Sequence, residues 1–167
     1  NRPPALFAQL DMKPYLLSEV ETYSYLLSKS FLQLTGRPIL PGLPRDSAAL
    51  AEAMFNAPCP IVSHGTEADP IFRYANQAAL DLWEMDWDTF TRLPSRLSAE
   101  INSDTQADRD SHLEEALKHG VVEGLTGVRI SSKGRRFEIR DTTLWTVVDT
   151  AAIRHGQAAI IGNWQYL

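Results

Sequence analysis

A single cysteine in 167 residues, Cys59, excludes an internal disulfide and fits a reducing compartment. No apolar run approaches the ~18 residues that a membrane span needs. No signal-peptide pattern opens the chain, so the expectation is a cytoplasmic protein with no membrane partner. Basic residues are also short: 16 Lys and Arg stand against 21 Asp and Glu, a net charge of −5. That balance speaks against a nucleic-acid-binding surface, which needs clustered positive charge. No internal repeat and no catalytic motif stand out. The chain starts at Asn1 rather than Met, which reads as trimming. What remains is ordinary for a folded domain: 44% apolar and 22% charged residues, enough for a core of one domain plus a flanking helical piece.

Residues 1–57 read as an N-terminal helical extension with a proline-rich connector, and 58–167 as the core domain. Residues 1–13 show little periodicity and read as a loosely held arm. From Pro14 to Thr35, Leu16, Val20, Tyr23, Leu27, Phe31 and Leu34 recur every three or four positions, the helical period. Leu17, Leu26 and Leu32 widen that stripe, which then either covers the core domain or pairs with a second copy of the chain. Pro38, Pro41 and Pro44 form the connector. Asp46 or Ser47 caps a short helix through Phe55. Cys59, between two prolines, reads as a small hydrophobe rather than a nucleophile.

Ile61 to Ser63 reads as a strand, His64 to Asp69 as a polar turn and Ile71 to Ala75 as a second strand. Asn76 then caps a helix that carries Leu80, Leu82 and Trp83. Residues 84–104 read as short helical turns, and Thr105 to His119 as a helix with Leu113, Ala116 and Leu117 inward, stopped by Gly120. From Val121 the period changes to two. Phe137, Ile139, Thr143, Trp145 and Val147 fall on one face of a strand by alternation, and Gln157 to Tyr166 forms the last one. The expected fold is α+β: a five-stranded antiparallel sheet with helices on one face, plus the N-terminal flanking helices.

Several polar residues admit two readings. His64, Glu67 and Asp69 bind a cation or polar ligand, or bond the backbone of their own turn. Ser95, Arg96, Ser98 and Glu100 form the densest polar cluster in an apolar context. Arg96 there either clamps an anion or pairs with Glu100 four residues on. Arg129, Lys133, Arg135, Arg136 and Arg140 suit the solvent face of a half-buried hairpin. Trp145 and Trp164 suit the core or a ligand platform. Ser95 or Ser98 with His64 and Asp69 supplies the residue types of a hydrolase triad, though nothing in the sequence places them together. Residues 84–104 hold no histidine for an axial haem ligand, and His112 and His119, seven apart, are too far to share a metal.

The stretches SHGTEADPIFRYANQAALDLWEMDW, LPSRLSAE and GVRISSKGRRFEI, the isolated Trp145 and GQAA at 156–159 resemble the MEKHLA family across residues 20–167. The resemblance implies a PAS-like fold and a role in sensing a signal or ligand; it does not imply a catalytic activity. In PAS-like domains the ligand sits between the inner sheet face and the middle helices, which nominates Ser95, Arg96, Ser98, Trp145 and Trp164 as ligand-binding residues, to which the polar turn adds His64. Flavin-binding light-oxygen-voltage relatives carry Gly-Arg-Asn-Cys-Arg-Phe-Leu-Gln. Laid over Arg92 to Ala99, that motif puts Ser95 at the cysteine and Pro94 at the amide that holds the flavin. Trp164 stands where their last strand carries Gln. These departures speak against a covalent flavin adduct. The expectation is a non-enzymatic PAS-like sensory module that binds a small molecule and dimerises through its N-terminal helix. A ligand-free protein-interaction module is the alternative, and a small hydrolase or isomerase the remote one.

Overall fold

The computed structural model describes residues 13–167; the arm expected over residues 1–13 lies, but for Lys13, outside the described residues. After a 3-10 turn at Pro14–Leu16 comes helix α1, Ser18–Thr35, whose buried Val20, Tyr23, Leu27 and Phe31 follow the helical period. Glu19 and Glu21 in its first turn complement the helix dipole, and Gly36 N–H donates to Leu32 O (2.8 Å) at its end. The α2 helix, Ser47–Phe55, starts on Asp46, whose side chain accepts from Ala49 N–H (3.0 Å). Strands β1, Ile61–His64, and β2, Phe72–Ala75, form a hairpin, followed by the short helices α3, Gln77–Trp83, and α4, Trp87–Phe90. A second 3-10 turn, Ser95–Ser98, leads to α5, Ser103–His119. Strands β3, Val121–Ile130, β4, Arg136–Val148, and β5, Arg154–Tyr166, complete the chain.

The five strands form one antiparallel sheet in the order β2-β1-β5-β4-β3. Neighbouring residues on β4 show how the sheet is covered. Trp145 Nε1–H donates to Ser30 Oγ of α1 (3.0 Å), whereas Thr146 Oγ1–H donates to Ala116 O of α5 (2.9 Å). Successive strand residues point to opposite faces, so α1 and α5 sandwich the sheet. The flanking helix thus takes the face that the core helices leave open. Of its extra apolar residues, Leu17 and Leu26 pack against the core, while Leu32 stays 41% exposed.

The alternation expected along β4 breaks at Asp141, which has φ 47°. Before it, Phe137 meets Trp83 of α3 edge-on (5.1 Å) and Ile139 faces the same side. After it, Thr142 and Leu144 take that side, and Trp145 turns to α1, where Phe31 meets it edge-on at 5.0 Å. Gly162 on β5 permits this distortion: a Cβ there would stand 2.7 Å from Asp141 O. Phe137 and Ile139 therefore do not share a face with Trp145.

Asn76 does more than cap α3. Its Oδ1 accepts from Ala79 N–H (3.1 Å) and Ile61 N–H (2.9 Å). Its Nδ2 donates to Met54 O (3.1 Å) and Cys59 O (2.8 Å). One fully buried amide thus joins α2, β1 and α3.

Candidate ligand-binding site

The inner face of the sheet and α5 enclose a cavity of about 70 Å³. Sheet residues Val62, His64, Ile139, Thr142, Leu144 and Gln157 form one wall. Arg109, His112 and Leu113 of α5, Trp83 of α3 and Ser98 close it from the other side. On α5 the spacing of Arg109, His112, Leu113 and Ala116 is i, i+3, i+4, i+7, so the stripe that carries the packing residues also delivers a guanidinium to the cavity. Leu117, expected inward, lies off this stripe and is exposed.

His64 belongs to β1 rather than to the following turn, and a register shift between Ser63 and His64 accompanies its inward placement. Gln157 Nε2–H donates to Leu113 O (3.0 Å), which turns Oε1 toward His64 Nε2 at 3.4 Å. That arrangement puts the imidazole proton on Nε2. Nδ1 then accepts from Ser95 Oγ–H at 2.7 Å, and Ser95 Oγ accepts from Arg109 Nη2–H at 2.6 Å. Burial, reinforced by the Arg109 charge, lowers the His64 pKa to about 4, so the ring is neutral at pH 7. Ser95 is itself fixed: its N–H donates to Pro70 O (2.7 Å), and Ser98 Oγ–H donates to Ser95 O (2.6 Å).

Arg129 leaves the solvent face on which alternation of the hairpin places it. It pairs with Phe137 across β3 and β4 and is half-buried against the cavity. Burial and then the Arg109 charge lower its pKa to about 10, and burial lowers that of Arg109 too. Its hairpin neighbours do face outward, where Arg135 pairs with Glu84 (3.3 Å), Arg136 with Glu100 and Arg140 with Glu138.

The nominated residues divide into two groups. His64 and Ser98 line the cavity, and Ser95 is hydrogen-bonded to both. Arg96 points out to Asp69 (3.2 Å) and not to Glu100. Trp145 lies on the α1 face, and Trp164, 39% exposed, meets Tyr166 edge-on (5.0 Å) toward the sheet's end. Glu67 accepts from Ile71 N–H (3.2 Å), so this acid serves its own turn. Among the described residues, no group of three or more His, Cys, Asp or Glu could hold a metal ion, and no helix is long and apolar enough to cross a membrane.

The Ser95–His64 contact has the form of a nucleophile–base pair. Its third member is the Gln157 amide rather than a carboxylate, since Asp69 is engaged by Arg96. A histidine with a pKa of about 4 is a weak base, and an amide cannot stabilise the imidazolium that proton abstraction would form. What the geometry does well is hold hydrogen-bonding groups and two guanidinium groups beside apolar walls.

Similarity to known proteins bears on the family and the fold. The family model described as MEKHLA domain matches residues 21–166. Homeobox-leucine zipper protein ATHB-9 of Arabidopsis thaliana is 28% identical over 61% of this chain and 12% of its own length. Homeobox-leucine zipper protein HOX32 of Oryza sativa subsp. japonica is 25% identical over 99% of this chain and 19% of its own. The chain therefore spans less than a fifth of these relatives. Among solved structures, the PAS domain of a Colwellia psychrerythraea protein has a TM-score of 0.58 at 13% identity, covering 68% of this chain and 92% of that one. The light-state dimer of the fungal blue-light photoreceptor Vivid has a TM-score of 0.59 at 14% identity, covering 91% and 100%. An RNA-binding light-oxygen-voltage receptor gives 0.59 at 20%, covering 76% and 36%. The fold is PAS-like.

Proposed function

The chain belongs to the MEKHLA domain family, and from that premise we propose that it is a non-enzymatic sensory module whose cavity between sheet and α5 binds a small molecule. The observation that carries this reading is the convergence of Arg109, His64 and Gln157, the first two joined through Ser95, on a cavity whose remaining walls are largely apolar. A few fixed polar groups in an apolar hollow are the usual composition of a ligand site. At about 70 Å³ the cavity is far below the ~300 Å³ at which sites for drug-sized ligands begin, so the ligand is small.

A path to the outer helix supports signalling. Ser63, next to His64, donates to Gln157 O (2.8 Å), and Tyr23 OH of α1 donates to Ser63 Oγ (2.7 Å). Arg73 lies over the Tyr23 ring at 3.8 Å. A ligand that favours one packing of β1 would bias the seating of α1. Dimerisation through α1 belongs to the same proposal, because Tyr25 and Leu32 remain 42% and 41% exposed after its other face covers the sheet. Light scattering checks this part: Leu32→Glu lowers the mass of a dimer to that of a monomer. A wild-type monomer at all concentrations contradicts it.

Native mass spectrometry of freshly purified protein tests the binding reading. A retained compound, lost on denaturation, is the expected result. A bare polypeptide that no compound stabilises against unfolding overturns the reading in favour of a ligand-free interaction module.

A further inference from the structure

The cavity is cationic although the protein is acidic. Acids outnumber bases 21 to 16 in the chain, yet the guanidinium groups of Arg109 and Arg129 line the cavity and, among the described residues, no Asp or Glu does. Arg109 is only 7% exposed, and its shortest contact is to a neutral hydroxyl, that of Ser95. Its ion-pair partner Asp110 stands 3.8 Å away, beyond hydrogen-bond distance, on a side chain that is 63% exposed. Arg129 Nη1–H donates to Val128 O (2.9 Å), and among the described residues no carboxylate lies within ion-pair distance of it. Asp108, the acid whose charge acts on Arg129, meets His112 at 3.7 Å.

The sequence around Arg129 also makes room for its head group. The guanidinium folds back along the inner face of β3 over Gly127, where a Cβ would stand 2.9 Å from Nη1. Two guanidinium groups are thus held in a partly dry site without a carboxylate bonded to either, an arrangement that costs free energy until an anion completes it. Beside them Leu113, Leu125, Ile139 and Leu144 offer only hydrocarbon.

Resting on the ligand-binding reading above, we infer that the cavity takes a short-chain organic carboxylate. Arg109 and Arg129 hold its head, and the leucines and Ile139 cover its tail. The planar, two-oxygen head matches the guanidinium fork, whereas a phosphate would leave further oxygens facing hydrocarbon. The small volume limits the tail to a few carbons.

Calorimetric titration tests this with acetate, propionate and butyrate against propionamide and inorganic phosphate, at one ionic strength set with chloride. Propionate or butyrate binds wild type saturably, and propionamide does not. Affinity falls at least about tenfold in Arg129→Gln and in Arg109→Gln, and is unchanged in the outward-facing Arg96→Gln. Arg129→Gln, on a sheet edge and checked for folding by circular dichroism, carries the test even where Arg109→Gln fails to fold. Propionamide binding as tightly as propionate, phosphate binding as tightly as the carboxylates, or carboxylate binding undiminished in Arg129→Gln overturns the inference. No carboxylate binding together with a neutral compound retained in native mass spectra overturns this inference and leaves the ligand-binding reading standing. No binding of any compound overturns both.

Discussion

Gly156 supports His64 from the neighbouring strand so closely that a Cβ at position 156 would stand 2.0 Å from the His64 carbonyl oxygen. The same Cβ would meet Tyr23 OH at 3.1 Å. Position 156 thus fixes both the backbone that aims the imidazole and the hydroxyl that ties α1 to β1. Gly156→Ala forces β1 and β5 apart, and overpacking of this kind costs about 1–3 kcal/mol. Urea denaturation reads the loss, and an unchanged midpoint contradicts it.

The buried imidazole makes stability depend on pH. Its pKa is 6.5 in the unfolded chain and about 4 in the folded one, so below 6.5 the unfolded state binds the extra proton. The contribution is fully present above pH 6.5 and is lost as pH falls toward 4, by about 3 kcal/mol in all. Urea melts of wild type and His64→Gln between pH 7.5 and 4.5 check the sign: the wild type falls more steeply. Parallel curves contradict the assignment.

Asn76→Ala orphans the Ile61 and Ala79 N–H groups and takes the amide donor from the Cys59 carbonyl at the junction of α2, β1 and α3, while Met54 O keeps the Ala57 N–H (3.3 Å). Each unsatisfied buried group costs about 1–3 kcal/mol, with some relief where water enters. The variant loses roughly 3–5 kcal/mol, read by thermal or urea unfolding. A loss below about 1 kcal/mol would reduce Asn76 to an ordinary cap.

Ser95 is predicted to be inert toward a fluorophosphonate. Its hydroxyl lies between His64 and Arg109, and the base beside it has a pKa of about 4. Intact mass after incubation with the reagent stays that of the unmodified protein. Stoichiometric labelling at Ser95 would revive the hydrolase reading.

Much of the fold was legible because local rules and tertiary packing agree. The helical period of Val20, Tyr23, Leu27 and Phe31, the Asp46 and Asn76 caps and the three long final strands all appear as the residue pattern dictates. Alternation failed along β4 because a single left-handed residue, Asp141, reverses which face follows, and its permission comes from Gly162 on another strand. The site was half legible. His64, Ser95 and Ser98 stand out as polar residues in apolar surroundings, but Arg129 reads as a solvent-facing charge and Arg109 passes without notice. For Arg109 the signal was its position four residues before Leu113 and seven before Ala116 on the packing stripe. For Arg129 it was Gly127 two residues earlier, an empty place on the same strand face. Trp145 drew notice as an isolated tryptophan, and only the break at Asp141 assigns it to the α1 face.

The proposed function requires that the hollow between α5 and the sheet be a ligand site. Its most direct test is a set of ¹H–¹⁵N spectra of the labelled protein, recorded while a panel of small carboxylates and neutral analogues is titrated in. The expected result is a saturable compound that moves the Trp83 indole, the Gln157 side-chain amide and the backbone signals of Arg109 and Leu113 together. Shifts confined to the exposed side of α1, with those four signals still, or a panel that moves nothing, would contradict it.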